Sequence, residues 1–126
     1  MEKKIITSAN APAPIGPYSH ANQIGNTLYV SGQVAKDAQT GEMVLSDIKA
    51  ETRKVMENIQ AILAEAGMDF THVVKTTIFC INLDNFASIN EVYGSFFTDN
   101  FPARETVQVS RLPLNVNVEI SVVAVK

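Results

Sequence analysis

The sequence predicts an α+β domain in which two helices cover one face of a mixed β-sheet. Three observations support this fold class. The chain has 126 residues, which suits one domain spanning 1–126 and leaves no room for a second. One long segment has the apolar spacing of an amphipathic helix. The β-forming segments lie on both sides of it and of a shorter helical segment, as in α+β proteins.

The first third of the chain is predicted to consist of short strands and loops. Lys3–Thr7 is a short β-like segment. Ala11–Pro17 contains three prolines and a glycine, which exclude a helix or a central strand and predict an ordered loop. Tyr18–Ile24 and Thr27–Ser31 flank a Gly-Asn pair and predict a β-hairpin. Gln33–Leu45 is expected to form a loop with a second short turn.

A long helix after residue 47 is the clearest prediction. Ser46 or Asp47 can cap its start, and Gly67 stands where the glycine that follows a helix belongs. A second helix is predicted from Asp84, and Pro102 ends it. The apolar residues of the first helix recur three and four positions apart: Ile48, Val55, Met56, Ile59, Ile62, Leu63 and Ala66. The inner face of the second is expected to carry Phe86, Ile89, Tyr93, Phe96 and Phe97.

Three further strands are predicted: Val73–Leu83, Glu105–Val109 and Val116–Val125. Side chains alternate between the two faces along a strand. We expect the valine side of the second of these strands to pack under the helices. The opposite, semi-polar face then carries Arg104, Thr106, Gln108 and Glu119. Such a face suits burial against other copies of the chain, so we expect a homo-oligomer with polar groups at its subunit seams.

Charge and composition argue against several classes of protein. The net charge is −3 and basic residues are scattered, whereas nucleic-acid binding needs them clustered, so we expect no nucleic-acid partner. No apolar run approaches a membrane span, and the N-terminus lacks the apolar stretch of a signal peptide. The one cysteine, Cys80, lies in an apolar run, as expected for a buried residue in a reducing compartment. These features predict a cytoplasmic protein without a membrane partner.

The sequence contains no motif for a metal or an organic cofactor. His20 and His72 have no metal-ligand spacing, and together with Cys80 they do not support a zinc site or a Cys-His nucleophile. There is no glycine-rich phosphate loop and no nucleophile elbow. We therefore expect no cofactor.

Arg104 and Glu119 are the candidate catalytic residues. Arg104 follows a Phe-Pro-Ala turn at the start of a strand, where its planar fork suits a carboxylate or phosphate; a surface salt bridge is the alternative. Glu119 stands between Val118 and Ile120 in an otherwise apolar strand. Such a carboxylate either pairs with a cation, for which Arg104 is the obvious partner, or has a raised pKa useful in proton transfer.

Tyr18, Ser31 and Gly32 are candidate binding residues. Tyr18 stands at the exit of the proline-rich loop, where it either contacts a ligand or covers the core. Ser31 and Gly32 end a strand, where they either form a turn or let a ligand approach the backbone closely. Together with Arg104 and Glu119, these residues suggest a site for a small anion without specifying a reaction.

Four segments taken together, Ile15–Ala21, Leu28–Gln33, Phe101–Arg104 and Arg111–Ile120, resemble the Rid family of reactive intermediate deaminases, also called YjgF-type or L-PSP proteins. Each motif alone is weak, whereas the four in register are specific. The resemblance covers essentially the whole chain. It implies a chorismate-mutase-like fold and a homotrimer in which the three sheets form a central β-barrel, with a ligand cleft at each subunit interface.

The resemblance also implies a role for each candidate residue. Arg104 would bind the substrate carboxylate, and Glu119 would transfer protons and activate the attacking water. Tyr18 and Ser31 would line the cleft with Gly32 beside them.

Three more positions bear on the implied cleft. Asn90, on the second helix, matches a position associated with substrate binding, although a helix-to-loop hydrogen bond accounts for it equally well. Thr106 stands where many members have a cysteine that acts largely through its backbone, so we expect threonine to be tolerated there. Glu105 replaces a small residue; it is expected to point away from the cleft, but its charge near Arg104 could weaken anion binding.

The implied reaction is hydrolysis of 2-enamine or 2-imine acids, such as 2-aminoacrylate and 2-iminopropanoate, to 2-oxo acids and ammonia. Imines already hydrolyse in water, and each tenfold acceleration requires only about 1.4 kcal/mol, so one carboxylate clamp and one acid–base group suffice. One alternative is a regulatory protein that binds a small ligand without turnover. An RNA-cleaving translation inhibitor is a second, which the acidic composition disfavours. A purely structural trimer would leave Arg104 and Glu119 unexplained.

Overall fold

A six-stranded mixed sheet forms the centre of the molecule. The computed structural model describes residues 2–126. The strands are β1 (Lys3–Ile6), β2 (Ala21–Ile24), β3 (Thr27–Gln33), β4 (Val73–Cys80), β5 (Ala103–Gln108) and β6 (Val118–Val125), and the helices are α1 (Ile48–Glu65) and α2 (Phe86–Gly94). In the sheet the order is β1-β2-β3-β6-β4-β5; β4 and β5 are parallel and the other neighbours antiparallel. The predicted α+β class, with a mixed sheet and two helices, is confirmed.

Helix α1 supplies most of the helical side of the core. Asp47 caps its start, because its side chain accepts a hydrogen bond from the N–H of Ala50 at 2.8 Å. Gly67 follows its end with a φ of +72°, a conformation that favours glycine. The predicted apolar stripe is confirmed: its central members are fully buried against β3, β6 and α2, and they are Val55, Met56, Ile59, Ile62 and Leu63.

Several predicted boundaries were wrong because short turns replace the ends of regular elements. Strand β4 ends at Cys80, since Leu83–Asn85 form a 3-10 turn that the Asn82 side chain caps. Helix α2 starts two residues later than predicted and ends at Gly94, so Phe96 and Phe97 pack from beyond the helix. Strand β2 begins only at Ala21, and Tyr18 belongs to the preceding loop.

The strands near the C-terminus are displaced in a similar way. Strand β5 begins at Ala103, immediately after Pro102. Strand β6 begins at Val118, two residues later than predicted, because Pro113–Asn115 form another 3-10 turn. In that turn Leu114 has a φ of +58°, a left-handed conformation that the sequence does not announce.

The prediction for the faces of β5 was wrong. Arg104 pairs with Thr76 of β4, which is buried beneath α2, so Arg104 points to the helix side. Glu119 pairs with Phe79, three positions further along β4, and therefore points to the face without helices. The helices cover the side of β5 that carries Arg104 and Thr106, and the valine side is open.

None of the helices in residues 2–126 is long and apolar enough to cross a membrane.

Candidate functional site

Glu119 lies in a cavity of about 360 Å³ on the open side of the sheet. Three other predicted site residues, Tyr18, Ser31 and Gly32, line the same cavity. The structure therefore brings together four of the predicted residues from a loop, β3 and β6. The remaining wall is mostly apolar and consists of Ile15, Val34, Pro113 and Leu114.

The loop that carries Tyr18 is anchored by the buried ring of His20. His20 Nδ1 accepts a hydrogen bond from the N–H of Ser8 at 3.1 Å, and its Nε2 lies 2.7 Å from the carbonyl oxygen of Pro12. The hydroxyl of Ser31 donates to the carbonyl of Ser19 at 2.6 Å, which joins β3 to the loop. These bonds explain how a proline-rich loop with no regular structure holds Tyr18 at the cavity.

The Glu119 side chain lies directly against Gly32. A Cβ atom at Gly32 would lie 2.6 Å from Glu119 Oε2 and 2.9 Å from its Cδ, closer than such atoms approach. The strand is also irregular there, because the register of β3 against β6 shifts between Val30 and Gln33. The functional interpretation of Gly32 predicted that a ligand approaches the backbone closely there. In the structure, the group that approaches Gly32 closely is the Glu119 carboxylate.

Burial raises the pKa of the Glu119 carboxyl above its ordinary value. Within residues 2–126, no ion pair offsets this effect. A carboxyl group with a raised pKa beside an open cavity is suited to accepting and returning a proton.

Arg104 lies in a second cavity, of about 340 Å³, on the helix side of the sheet. Asn90 and Gly94 of α2 line it, together with Phe101 and Pro102 from the turn before β5. The turn places the arginine at the first paired positions of β5, as the sequence suggested. This cavity thus joins Arg104 to Asn90, a further predicted site residue.

Two aromatic rings of α2 hold the Arg104 guanidinium group. Its central carbon lies 5.0 Å from the ring centroid of Tyr93 and 5.6 Å from that of Phe86. The Tyr93 hydroxyl donates to Thr76 Oγ1 at 2.9 Å, which fixes the ring on the sheet. Burial is also the main cause of a raised pKa at Tyr93. The two rings therefore orient the guanidinium plane, and no acidic side chain within residues 2–126 forms an ion pair with it.

Two predicted binding residues near Arg104 have buried polar atoms without a partner. Oδ1 of Asn90 and Oγ1 of Thr106 are buried, and neither has a hydrogen-bond partner within residues 2–126. The alternative of a helix-to-loop hydrogen bond therefore does not account for the Asn90 oxygen. Unsatisfied buried polar atoms are rare and indicate a missing partner. Thr106 lies two residues after Arg104 on the same side of β5, and Asn90 lines the cavity that contains Arg104.

Glu105 points away from Arg104, as expected from strand alternation. On the open face its carboxylate accepts a hydrogen bond from Thr77 at 2.7 Å and lies 3.0 Å from Lys75 Nζ. These contacts lower the pKa of Glu105. From the sequence, the negative charge of Glu105 was expected to weaken anion binding at Arg104. The positive charge of Lys75 compensates for it.

The two cavities lie on opposite faces of one sheet. Arg104 and Glu119 do not form an ion pair within a chain, so the interpretation of Glu119 as the structural partner of Arg104 is wrong for the described residues. Each chain presents a guanidinium half-site around Arg104 and a carboxyl half-site around Glu119, on opposite faces of the sheet.

Sequence reasoning missed several residues of both halves. Phe86 and Tyr93 were predicted on the inner face of α2, but their stacking on Arg104 was not. Their spacing of seven residues, which places them on one side of a helix, was the available signal. Leu114 had no signal, because its place in the wall of the Glu119 cavity depends on a left-handed backbone.

No group of three or more His, Cys, Asp or Glu side chains in residues 2–126 is arranged to hold a metal ion. Cys80 is buried, and its burial raises the pKa of its thiol. Both facts agree with its interpretation as a small core residue.

Comparisons with known proteins give consistent matches over the whole chain. A family model described as Endoribonuclease L-PSP matches residues 8–126. A RutC family protein of Pyrococcus abyssi is 48% identical over 126 residues, covering 100% of this chain and 99% of that protein. A human protein named 2-iminobutanoate/2-iminopropanoate deaminase is 40% identical over 124 residues, covering 98% of this chain and 90% of that protein.

Solved structures give the same result for the fold. E. coli TdcF with bound serine is 40% identical, with a TM-score of 0.94, and the match covers 98% of each chain. RidA from an Antarctic Psychrobacter is 39% identical with a TM-score of 0.94, covering 98% of this chain and 99% of that one. The fold and both half-sites lie within the matched residues.

Proposed function

The chain belongs to the Rid family, also called the YjgF or L-PSP family, and we propose that it hydrolyses 2-imino and 2-enamino acids to 2-oxo acids and ammonia. Relatives that carry the name 2-iminobutanoate/2-iminopropanoate deaminase, at 40–43% identity, support this activity. The structural observation that carries the proposal is the pair of complementary half-sites. One offers a free guanidinium group, and the other offers a carboxyl with a raised pKa.

We place the substrate between two copies of the chain. Its carboxylate accepts hydrogen bonds from Arg104 of one copy, because a planar guanidinium group binds a carboxylate through two parallel bonds. Asn90 lines the cavity of that arginine and Thr106 follows it on the same side of β5, and each has a buried oxygen without a hydrogen-bond partner within residues 2–126. Tyr18, Ser31 and Gly32 of the neighbouring copy border the reacting carbon, and the apolar wall takes the substrate side chain.

Glu119 then acts on the water and on the leaving nitrogen. The carboxylate takes one proton from water as the water oxygen adds to the C=N carbon, and it passes that proton to the nitrogen, which gives the neutral carbinolamine. It then takes the proton of the carbinolamine hydroxyl and passes it to the nitrogen as the C–N bond breaks, so that ammonia leaves and the C=O bond forms. One water is consumed, and Glu119 ends in the state in which it began. A raised pKa suits a group that must both accept and return a proton.

The open sheet face supports the proposed trimer. It carries large apolar side chains with high exposure: Ile5 (49%), Tyr29 (50%), Val107 (40%) and Val125 (41%). Such a face is suited to burial against other copies of the chain. A closed ring of three would set the Arg104 half of each subunit against the Glu119 half of the next. We expect the reaction to take place in the cytoplasm.

A panel of imines tests the activity. Each imine is generated in situ from a different amino acid, and formation of ammonia and 2-oxo acid is followed with and without the protein. The proposal predicts faster release in its presence and saturation with imine concentration. If the protein binds pyruvate but accelerates no imine, the regulatory ligand-binding alternative replaces the enzyme.

A further inference from the structure

We propose that Glu51 is a positioning residue that holds the start of β6 and thereby fixes Glu119. The inference rests on the proposed function, because it concerns how the acid–base group is held. Glu51 lies in the first turn of α1 and is fully buried, with 0% of its surface exposed. A buried carboxylate is costly unless hydrogen bonds satisfy its oxygens, so its partners indicate its role.

All the hydrogen bonds of the Glu51 carboxylate end on the two residues before Glu119. Oε2 accepts from the backbone N–H of Asn117 at 2.7 Å and from that of Val118 at 3.2 Å. Oε1 accepts from Nδ2 of Asn117 at 2.7 Å. The carbonyl oxygen of Asn117 accepts in turn from the N–H of Ile81 at 3.1 Å. Asn117 is therefore fixed between α1 and the end of β4.

The start of β6 is held regularly by the sheet on one side only. Its pairing with β4 begins at its first residue, Val118, opposite Cys80, whereas its ladder with β3 is irregular beside Glu119. The preceding residues Leu114 and Asn115 have φ angles of +58° and +53°. Residues other than glycine keep such angles only where the surrounding structure holds them. The bonds from Glu51 hold Asn117 and Val118, which lie between this turn and the reacting carboxyl, against helix α1.

The Glu119 carboxyl lies directly against Gly32, where its Oε2 would be 2.6 Å from a Cβ atom, and it lines the cavity. A shift of the start of β6 therefore moves the reacting carboxyl relative to the other residues of the cavity. A shift of about 1 Å at a reacting group lowers rates on the order of a hundredfold. Loss of the Glu51 bonds should therefore reduce turnover through Glu119, while the Arg104 half-site, on the other face of the sheet, continues to bind carboxylates.

Two variants of Glu51 separate positioning from burial. Glu51→Met keeps the length of the side chain and removes both acceptors, and we expect it to lower kcat by about tenfold to a hundredfold with little change in pyruvate affinity. Glu51→Gln keeps one acceptor oxygen for the backbone N–H groups. The side-chain amide of Asn117 can rotate so that its oxygen accepts a hydrogen bond from Nε2 of the glutamine. We expect this variant to keep most of the wild-type kcat.

A double-mutant cycle with Glu119→Gln shows whether Glu51 acts through Glu119. The inference predicts that Glu51→Met slows the wild type but slows Glu119→Gln very little further. Thr52→Val is the matched control: Thr52 is equally buried on α1, but its hydroxyl bonds only to the Ile48 carbonyl. We expect this control to keep wild-type kcat.

Either of two results overturns the inference: an unchanged kcat in Glu51→Met, or losses that multiply in full in the double variant. If Glu119→Gln alone is fully active, it is the acid–base role in the proposed function that fails. If Glu51→Met does not fold, Asn117→Ala replaces it in the double-mutant cycle with Glu119→Gln. Asn117→Ala removes only the bond to Oε1 of Glu51, so we expect a smaller loss of kcat.

Discussion

At the residue scale, the proposed chemistry divides between a guanidinium group, which would bind the substrate, and a carboxyl group, which would transfer protons. The two groups are prepared differently. Aromatic rings orient Arg104, whereas burial raises the pKa of Glu119 and a missing side chain at Gly32 makes room for it. Each preparation leads to a separate expectation for mutants.

Arg104→Lys should be nearly as damaging as Arg104→Ala. Lysine keeps the charge but loses the planar pair of donors, and it stacks less favourably on Tyr93 and Phe86. A charged hydrogen bond contributes roughly 1.5–3 kcal/mol, so we expect kcat/KM to fall about ten- to a hundredfold in both variants, with melting temperatures close to wild type. Steady-state kinetics and thermal melting measure these effects. Full activity in Arg104→Ala would end the deaminase proposal.

Glu119→Gln should lower kcat more than it weakens pyruvate binding. Loss of a positioned acid–base group costs about 10²- to 10⁴-fold. In the wild type the rate should fall as the pH drops through the raised pKa, because protonated Glu119 cannot accept a proton from water. This acid limb should lie at a higher pH than for an exposed glutamate and be missing in the variant. An acid limb that survives in Glu119→Gln belongs to another group.

The raised pKa of Glu119 also predicts the sign of a stability effect. The folded state binds this proton more tightly than the unfolded state, so stability falls as the pH rises from the unfolded pKa to the folded pKa. At neutral pH the ionised carboxylate therefore lowers stability. Melting of Glu119→Gln at pH 7 should occur at the wild-type temperature or above it. A clear melting defect with an unaltered rate would instead indicate a purely structural carboxylate.

At the scale of elements, patterns with strong periodicity were predictable and strand faces near turns were not. The stripe of α1 and its Asp47 cap follow directly from spacing and capping chemistry. The face of β5 was assigned from its valines, but Val107 is exposed and Arg104 lies under α2. A six-residue edge strand with polar residues on both sides does not reveal which side the helices cover.

The candidate residues were predictable because the resemblance supplied them in register. Their division into two half-sites was not, since it depends on the pairing of Arg104 with Thr76 and of Glu119 with Phe79 across β4. The left-handed turn at Leu114 and the bonds from Glu51 to β6 are likewise tertiary features. No local sequence pattern specifies which buried N–H groups a distant carboxylate will bind.

In the proposed site, helix α2 would contribute to binding through the rings that hold Arg104. Tyr93→Leu should weaken pyruvate binding by about two- to thirtyfold, since a cation–π contact contributes roughly 0.5–2 kcal/mol. Tyr93→Phe keeps the ring and loses only the bond to Thr76, so its affinity should stay close to wild type. Isothermal titration with pyruvate compares the two variants. Equal weakening in both would show that the hydroxyl, and not the ring, is what matters.

At the scale of the whole molecule, the proposed mechanism requires each site to be built from two chains. The predicted trimer buries the apolar open face and brings an Arg104 half against a Glu119 half. Light scattering should give a mass of three times 13.7 kDa. A stable monomer at micromolar concentration would remove both the trimer and the shared site.

Mixed oligomers test whether each site is built from two subunits. Arg104→Ala and Glu119→Gln chains, each nearly inactive alone, are co-expressed in equal amounts and assayed for imine hydrolysis. If each site takes Arg104 from one subunit and Glu119 from the next, random trimers contain intact sites in about a quarter of all positions, and activity returns to about that fraction of wild type. If both groups act from the same chain, no intact site forms. If mixed oligomers, verified by mass, stay as inactive as either parent, the site does not combine Arg104 of one subunit with Glu119 of the next.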